Sequence, residues 1–591
     1  MPTIQQYLSA RSAMSPAFSP GTQRWYFLMN LTGTAQIYSL EKPGAWPDMI
    51  TDFPERVTAI FPAPHEKGLL YTRDHGGNEY HQFFWINLET GDTTTLTDNP
   101  RAMQVFGAYA PDGCSIAYTS TLRNGRDYDL YVMPVHRPRD VRLIRHLKGH
   151  WEVCDWNEQG FLLQERVAHG VDERLYRLSP DGARLTPLSR HEEAAVFADP
   201  VQGPNGALYV RTDYRHDFVG LARLDDEGVP HFLVEESQDV DLLVGNDAHT
   251  HAAYTLNREG YSELHIRALD QGRDGRIPNF DNHVILEIRF SPDGRQLAVT
   301  HTAPDETMNI SLVEVDDGTV RPLTHARMPG LWGATFVRPE TIRYASFDGL
   351  QVPAFLYRPK SDQDVPVVVS VHGGPEAQEA PLFNPWYQCL VNHGYAVVAP
   401  NVRGSTGYGK TYSHMDDREK RMDSVKDLKA LVEWIRQEPG LDDTRIALYG
   451  GSYGGFMVLS GITQFPDRFR AAVDIVGIAN LESFLENTSE YRRALREVEY
   501  GYLDRDRAFL RKFSPIHAVD RIQAPLYVAH GANDPRVPLS EAEQIVGALR
   551  SRNHPVVFRV FPDEGHGVAK MANRLTLYQE ILQFLDQNLK A

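Results

Sequence analysis

The stretch Gly450-Gly451-Ser452-Tyr453-Gly454 carries the clearest chemical signal in this 591-residue chain. It fits G-x-S-x-G, in which a serine on a strained strand-to-helix turn presents its hydroxyl as a nucleophile. Glycines flank such a serine because side chains there would strike neighbouring backbone. The context agrees, since residues 445–449 read as an apolar strand and 456–463 as a helix. A Gly-rich turn without chemistry is the alternative, and those flanking elements argue against it. A serine hydroxyl needs a base, and the base needs an orienting acid, in the chain order serine, acid, histidine. Four histidines follow Ser452: His517, His530, His554 and His566. His566 stands in the glycine-flanked loop Asp563-Glu564-Gly565-His566-Gly567 directly after the last predicted strand, where a base could reach the serine. His530 is the runner-up, read as shaping a turn at a strand end, while His517 and His554 sit in polar connections. Asp534, just past the strand at 525–529, is the expected acid. Asp563 and Glu564 compete, but they lie so near His566 in sequence that capping its loop suits them better. The chemistry is acyl transfer through a covalent serine intermediate.

The tetrahedral intermediate of that reaction needs hydrogen-bond donors for its oxyanion. The backbone N–H of Tyr453, next to the nucleophile, is one. Two stretches compete for the second: the backbone of His372-Gly373-Gly374-Pro375, or the phenol of Tyr408 within residues 401–409. No CxxC or Cys/His cluster suggests a metal, and no cofactor is expected.

The elements that must position these groups fall into two halves. In the first half a turn phrase recurs, as in Ala110-Pro111-Asp112-Gly113, Gly203-Pro204-Asn205-Gly206 and Ser291-Pro292-Asp293-Gly294, each followed by short alternating strands. The last apolar residues of the repeats are Leu40, Leu88, Met133, Leu178, Leu224, Leu269 and Val315, about 45 residues apart, a period that suits a four-stranded propeller blade. An all-β sandwich with coincidental spacing would not keep so even a period. After Met328 the repeat stops, and apolar strands (367–371, 395–399, 445–449, 471–476, 525–529, 556–560) alternate with helical stretches such as 425–437 and 573–589. That alternation predicts a mostly parallel sheet covered on both faces. The expected fold is therefore a two-domain chain: an N-terminal segment 1–14, a seven-bladed β-propeller over 15–328, and an α/β-hydrolase domain with a doubly wound sheet over 329–591.

A formal net charge of −18 argues against nucleic acid as a partner, because that would call for a basic face. Cys114, Cys154 and Cys389 are too few for a disulfide framework and fit a reducing compartment. The N-terminus lacks a basic region followed by an apolar run, and no apolar stretch approaches a membrane span. A cytoplasmic protein is expected, with no membrane partner. Propeller edge strands offer a route to a homo-oligomer.

Four motifs together resemble the prolyl oligopeptidase family: His372-Gly373-Gly374-Pro375, the stretch 401–409, the glycine-rich stretch 450–455, and Asn533-Asp534-Pro535-Arg536-Val537-Pro538. The first two are most similar to the acylaminoacyl-peptidase branch. The resemblance implies that Ser452, Asp534 and His566 form a triad. It implies that Tyr408 is an oxyanion donor, in preference to the His372 loop, and that Arg536 binds a substrate carbonyl or carboxylate. A surface ion pair is the plainer reading of Arg536. Phe484, Leu485 and Tyr491 would line an apolar first specificity pocket. The paired glutamates with which dipeptidyl aminopeptidases hold a free N-terminus have no counterpart, since Glu235-Glu236 reads as an exposed turn. The expected function is a serine peptidase for short peptides, of acylaminoacyl-peptidase type. An esterase or amidase using the same triad, dipeptidyl aminopeptidase or carboxypeptidase activity, and a propeller scaffold with an idle hydrolase domain are the rivals. The intact Ser452, Asp534 and His566 speak against the last.

Overall fold

Each of the seven repeats folds into a four-stranded antiparallel sheet in the computed structural model, which describes residues 2–168, 170–328, 330–331 and 336–590. The third strands are Gln36–Leu40, Gln82–Asn87, Asp129–Pro134, Asp172–Leu178, Gly220–Leu224, Tyr261–Ala268 and Glu306–Glu314. The periodic apolar residues of the sequence lie at their ends, where each strand turns outward. The Pro-Asp-Gly turns join first to second strands, because positive-φ glycines such as Gly113 (φ 71°) and Gly294 (φ 69°) close them. Each blade is too thin to bury both faces. A separate apolar cluster therefore fills every seam between neighbouring blades, and the ring closes where Ala13, Trp25 and Phe27 of blade 1 meet Ala298, Ile310 and Leu312 of blade 7. Among the described residues no strand crosses from one blade into another at that closure. Glu287 of blade 7 accepts instead from the Ser15 backbone N–H at 2.7 Å and from its hydroxyl at 3.1 Å.

The second half forms an eight-stranded sheet of β1 (Glu340–Ala345), β2 (Gln351–Tyr357), β3 (Val365–Val371), β4 (Ala396–Pro400), β5 (Leu441–Gly451), β6 (Ala471–Ile475), β7 (Leu526–Gly531) and β8 (Val556–Phe561). Their order in space is β1-β2-β4-β3-β5-β6-β7-β8. The pairings β1–β2 and β2–β4 are antiparallel, and all the rest are parallel. One face is covered by α3 (Arg421–Ile435), α4 (Tyr453–Gln464) and α7 (Leu539–Ser551), the other by α2 (Pro385–Asn392) and α8 (Met571–Leu589). Strands such as Val365–Val371 are buried along their whole length, which is why they read as unbroken apolar runs.

The N-terminal helix α1 (Ile4–Leu8) belongs to this second core. Ile4, Tyr7 and Leu8 pack into the layer with α2 and α8, so the chain starts on the hydrolase domain before entering the propeller at Ala13. The expected boundary residue Pro329, and the chain ends Met1 and Ala591, lie outside the described residues. Among the described residues no helix is long and apolar enough to cross a membrane.

Candidate active site

Ser452 sits between β5 and α4 with φ 59° and ψ −119°, a strained combination for any residue but glycine. The glycines around it are required in different degrees. A Cβ on Gly450 would come within 2.4 Å of Gly454 O, and one on Gly454 within 2.1 Å of Val371 O. At the variable position Gly451 the nearest atom would be 3.5 Å away, so only the two fixed glycines of the motif are sterically obligatory. The elbow is held from below by the Ser452 N–H, which donates to Ile475 O at 2.9 Å.

Asp534 and His566 arrive on the loops after β7 and β8. His566 Nδ1 lies 2.7 Å from Asp534 Oδ2. The other carboxylate oxygen accepts from the backbone N–H groups of Arg536 at 2.8 Å and Val537 at 3.0 Å, which fixes the acid. With Nδ1–H donated to the carboxylate, Nε2 is the nitrogen left to take a proton. Ser452 Oγ and His566 are not hydrogen-bonded to each other in this conformation, and such contacts commonly tighten only with substrate present. His530 turns its Nε2 onto Val537 O at 2.9 Å and shapes the Asp534 turn. Glu564 caps the backbone N–H groups of Ala569 and Lys570, and Asp563 pairs with Lys570 at 2.8 Å.

A cavity of about 340 Å³ opens beside Ser452. Phe484, Ile478, Tyr500 and Val537 line its apolar side, Gly374 its loop side, and His150 and Arg166 reach it from the propeller. Phe484 and Tyr491 both line it. Leu485 does not: it is 0 % exposed and points into the sheet-facing core, because its neighbour Phe484 already occupies the pocket side of the helix Leu481–Asn487. Tyr491 bridges the domains, its ring 6.1 Å from Tyr80 and 6.2 Å from Tyr128.

Tyr408 lies on the loop after β4. Its hydroxyl is held by Asn401 Nδ2 at 3.0 Å, at the end of β4, and burial pushes its pKa up to about 12. In the sheet β4 is separated from the Ser452 strand β5 by β3. Gly373 takes the place beside the nucleophile, since a Cβ there would lie 3.4 Å from Ser452 Cβ and 4.0 Å from Oγ. The His372 ring anchors that loop by Nε2 to Ser405 Oγ at 2.9 Å. The Tyr453 N–H leads α4, where it has no partner within the helix. The Tyr453 side chain is buried elsewhere, its hydroxyl donating to Asp416 at 2.9 Å.

Charge dominates the remaining wall. Arg536 Nε donates to both carboxylate oxygens of Glu79, a propeller residue, at 2.7 and 2.9 Å. Arg496 pairs with Glu376 at 2.9 Å, and Arg166 with Glu152 at 3.0 Å. Arg492 also lines the cavity, yet among the described residues its guanidinium has no hydrogen bond or ion pair. Burial and the neighbouring Arg536 draw its pKa down. Arg492 and Arg496 escaped the sequence reading, and their i,i+4 spacing on the helix Glu490–Tyr500 was the signal available. Glu79 lies in the turn Gly76-Gly77-Asn78-Glu79 of blade 2, where Gly76, Gly77 and Glu79 all have positive φ.

Residues 382–591 match the model of the prolyl oligopeptidase family. Dipeptidyl aminopeptidase BIII of Pseudoxanthomonas mexicana is 29% identical over 540 residues, spanning 85% of this chain and 76% of that protein. The acylamino-acid-releasing enzyme of Homo sapiens is 32% identical over 254 residues, 41% of this chain and 34% of that one. The structure of a Mycobacterium tuberculosis puromycin-hydrolyzing peptidase superposes with a TM-score of 0.87 at 19% identity, over 100% of this chain and 96% of the other, which is a likeness of fold. The chain is thus a serine peptidase whose residues 382–591 match the prolyl oligopeptidase family, with a propeller joined to an α/β-hydrolase domain as in the similar structures.

Proposed function

We propose that the enzyme hydrolyses short peptides whose N-terminus is blocked, in the manner of an acylaminoacyl peptidase. Ser452 Oγ attacks the scissile carbonyl while His566 Nε2 takes its proton, and Asp534 holds the imidazole in the required tautomer. The developing oxyanion is received by the Tyr453 N–H and a backbone N–H of the Gly373-Gly374 loop. His566 then returns the proton to the leaving amine, and water enters by the reverse steps. Phe484, Tyr500 and Val537 hold the side chain next to the scissile bond, and Arg536, steadied by Glu79, receives a substrate carbonyl.

The observation that carries this reading is the charge balance of the cavity. Glu79, Glu152 and Glu376 are each engaged by an arginine, whereas Arg492 has no such partner. A free N-terminal ammonium would meet no vacant carboxylate and an uncompensated cation, and an acylated amine avoids both costs. The same guanidinium favours a second reading, in which the C-terminal carboxylate of a very short substrate docks on Arg492 as a bidentate pair. The three unpaired thiols support a cytoplasmic setting.

The test compares N-acetyl-alanyl and free alanyl-alanyl anilides with short acetylated peptides ending in a carboxylate or an amide. Blocked substrates should exceed free-amine ones by at least about tenfold in kcat/KM, the factor that 1.4 kcal/mol of differential binding supplies. Arg492→Gln should abolish any preference for carboxylate over amide while leaving the acetyl-alanyl anilide rate within about threefold. A faster rate on free-amine dipeptides would overturn the reading. Ser452→Ala, expected to lower kcat by about 10⁶, ties whatever activity is seen to this site.

A further inference from the structure

Three metal-ligating side chains converge far from Ser452, at the edge of blade 7. His283 precedes the first strand of the blade (Val284–Phe290), His301 lies on the second (Gln296–Ala303), and Glu306 opens the third (Glu306–Glu314). One ring nitrogen from each histidine and one carboxylate oxygen lie within 4.8 Å of one another. We propose that His283, His301 and Glu306 form a binding site for a divalent cation of the zinc class, with the remaining coordination completed by water.

His283 Nδ1 is 2.9 Å from the Asp281 carbonyl, which can only accept, so this nitrogen carries a proton, and Nε2 would give up its own to take a cation. That Nε2 faces Glu306 Oε2 at 3.4 Å. His301 Nε2 bonds to Ser311 Oγ at 2.9 Å, while its Nδ1 is buried without any partner, on a residue only 7 % exposed. A protonated His283 could satisfy Glu306 by itself, but it would leave the His301 nitrogen orphaned, and a buried unmet acceptor is costly. A cation satisfies all three groups at once.

Two imidazoles and one carboxylate are a set that zinc accepts with a fourth position open. In a tetrahedral zinc site ligand atoms stand about 3.4 Å apart, a geometric consequence of bonds near 2.1 Å. The exposed Glu306 and the mostly buried His283 therefore need to draw in by roughly an ångström about the buried His301. Ser311 and the Asp281 carbonyl already serve as the outer partners that orient metal-bound histidines. The hairpin turn between His301 and Glu306 also meets the hydrolase domain. Pro304 O accepts from Gln388 Nε2 at 2.9 Å, and Asp305 pairs with Arg338 at 2.8 Å. A bound cation would stiffen the blade where it abuts the interdomain connection, and the peptidase chemistry would not pass through it.

The test uses the full-length, untagged enzyme after chelator treatment, titrated with zinc by calorimetry and with cobalt(II) by visible absorption. One equivalent should bind, cobalt should give the intense bands of a four- or five-coordinate site, and Tm should rise with zinc. His301→Ala should weaken binding by more than about 100-fold, and Ser311→Ala by about 10-fold, the usual range for an outer partner. His283→Ala and Glu306→Gln, at more exposed positions, give the same reading should His301→Ala fold poorly. Labelling of Ser452 by a fluorophosphonate should be unchanged in all of them. The absence of a stoichiometric zinc isotherm, or an isotherm that survives the triple variant among the 23 histidines of the chain, would overturn the assignment.

Discussion

At the scale of single residues, matching position in a motif and matching place in space are different things. Tyr408 occupies the sequence position of a family oxyanion donor, and its hydroxyl accepts from Asn401 Nδ2, which leaves its own proton free. If the Tyr453 N–H and the Gly373-Gly374 loop receive the oxyanion, Tyr408→Phe should change kcat by less than about threefold, far short of the 10²–10³ lost with a true oxyanion donor. Gly373→Ala should lower kcat about tenfold, because its Cβ would lie 3.2 Å from Gly451 O and shift by a few tenths of an ångström the loop that approaches the oxyanion. A large loss in Tyr408→Phe with a small one in Gly373→Ala would restore the phenol. The elbow was readable in the sequence because its glycines answer local backbone contacts, and those travel with the motif. Arg492 was not readable, since its interest lies in the partner it lacks, and that depends on which carboxylates the fold assigns to Arg536 and Arg496. Leu485 failed for a simpler reason: adjacent positions on a helix face different ways, and only one of the pair 484 and 485 could face the pocket.

At the scale of elements, the active-site loops depend on tight backbone contacts that side chains would break. The blade 2 turn presses on the His566 loop: a Cβ on Gly77 would lie 2.5 Å from Gly565 N, and Asn533 Nδ2 donates to Gly76 O at 2.9 Å. Gly77 also has φ 76°, where an added side chain costs about 1–2 kcal/mol before any clash. Gly77→Ala should lower kcat about tenfold or more with the far-UV spectrum unchanged, since the propeller would be levered off the histidine loop. Normal turnover would show that the loop holds its place without the propeller. Beneath the elbow, Asp474 is fully buried at the end of β6, and burial pushes its pKa from 3.8 to about 7, against the pull of the Gly477 N–H. The native state thus binds this proton more tightly than the unfolded chain. Its stabilising effect is complete below about pH 3.8 and is lost as pH rises to about 7. Asp474→Asn, which stays neutral, should gain stability relative to the parent as pH rises across that window, and parallel Tm curves for the two proteins would disprove the buried neutral acid. The strands were legible because wholly buried strands are apolar throughout. The docking of α1 on the hydrolase core was not, because five residues bearing three apolar side chains carry no mark of the partner they cover.

At the scale of the whole molecule, the seven-bladed disc was legible from its period alone, while its meeting with the hydrolase domain rests on contacts between residues hundreds of positions apart. Those contacts set the size of what can react. The cavity beside Ser452 holds about 340 Å³ and is walled by both domains, with His150 and Arg166 on the propeller side and Phe484, Arg492 and Arg536 on the other. A volume near the lower end for small-ligand sites admits the few residues around a scissile bond but not a folded surface. The propeller also seals the histidine side through Gly76, Gly77 and Glu79. Such a site favours a substrate that threads in or enters when the domains part. A length series of N-acetylated peptides sharing one cleavage site decides the matter. Rates should hold for short members and collapse beyond roughly thirty residues, whose extended length of about 100 Å far exceeds any enclosed space at this junction. A stably folded protein bearing the same site in a surface loop should resist cleavage, and the same protein unfolded and cut to short fragments should be consumed. If the entry step limits turnover, the shorter peptides should also show kcat values that fall with solvent viscosity, whereas an aryl ester small enough to diffuse in should not. Cleavage of the folded protein at the rate of the peptides would mean that the junction opens freely and that the propeller does not select by size.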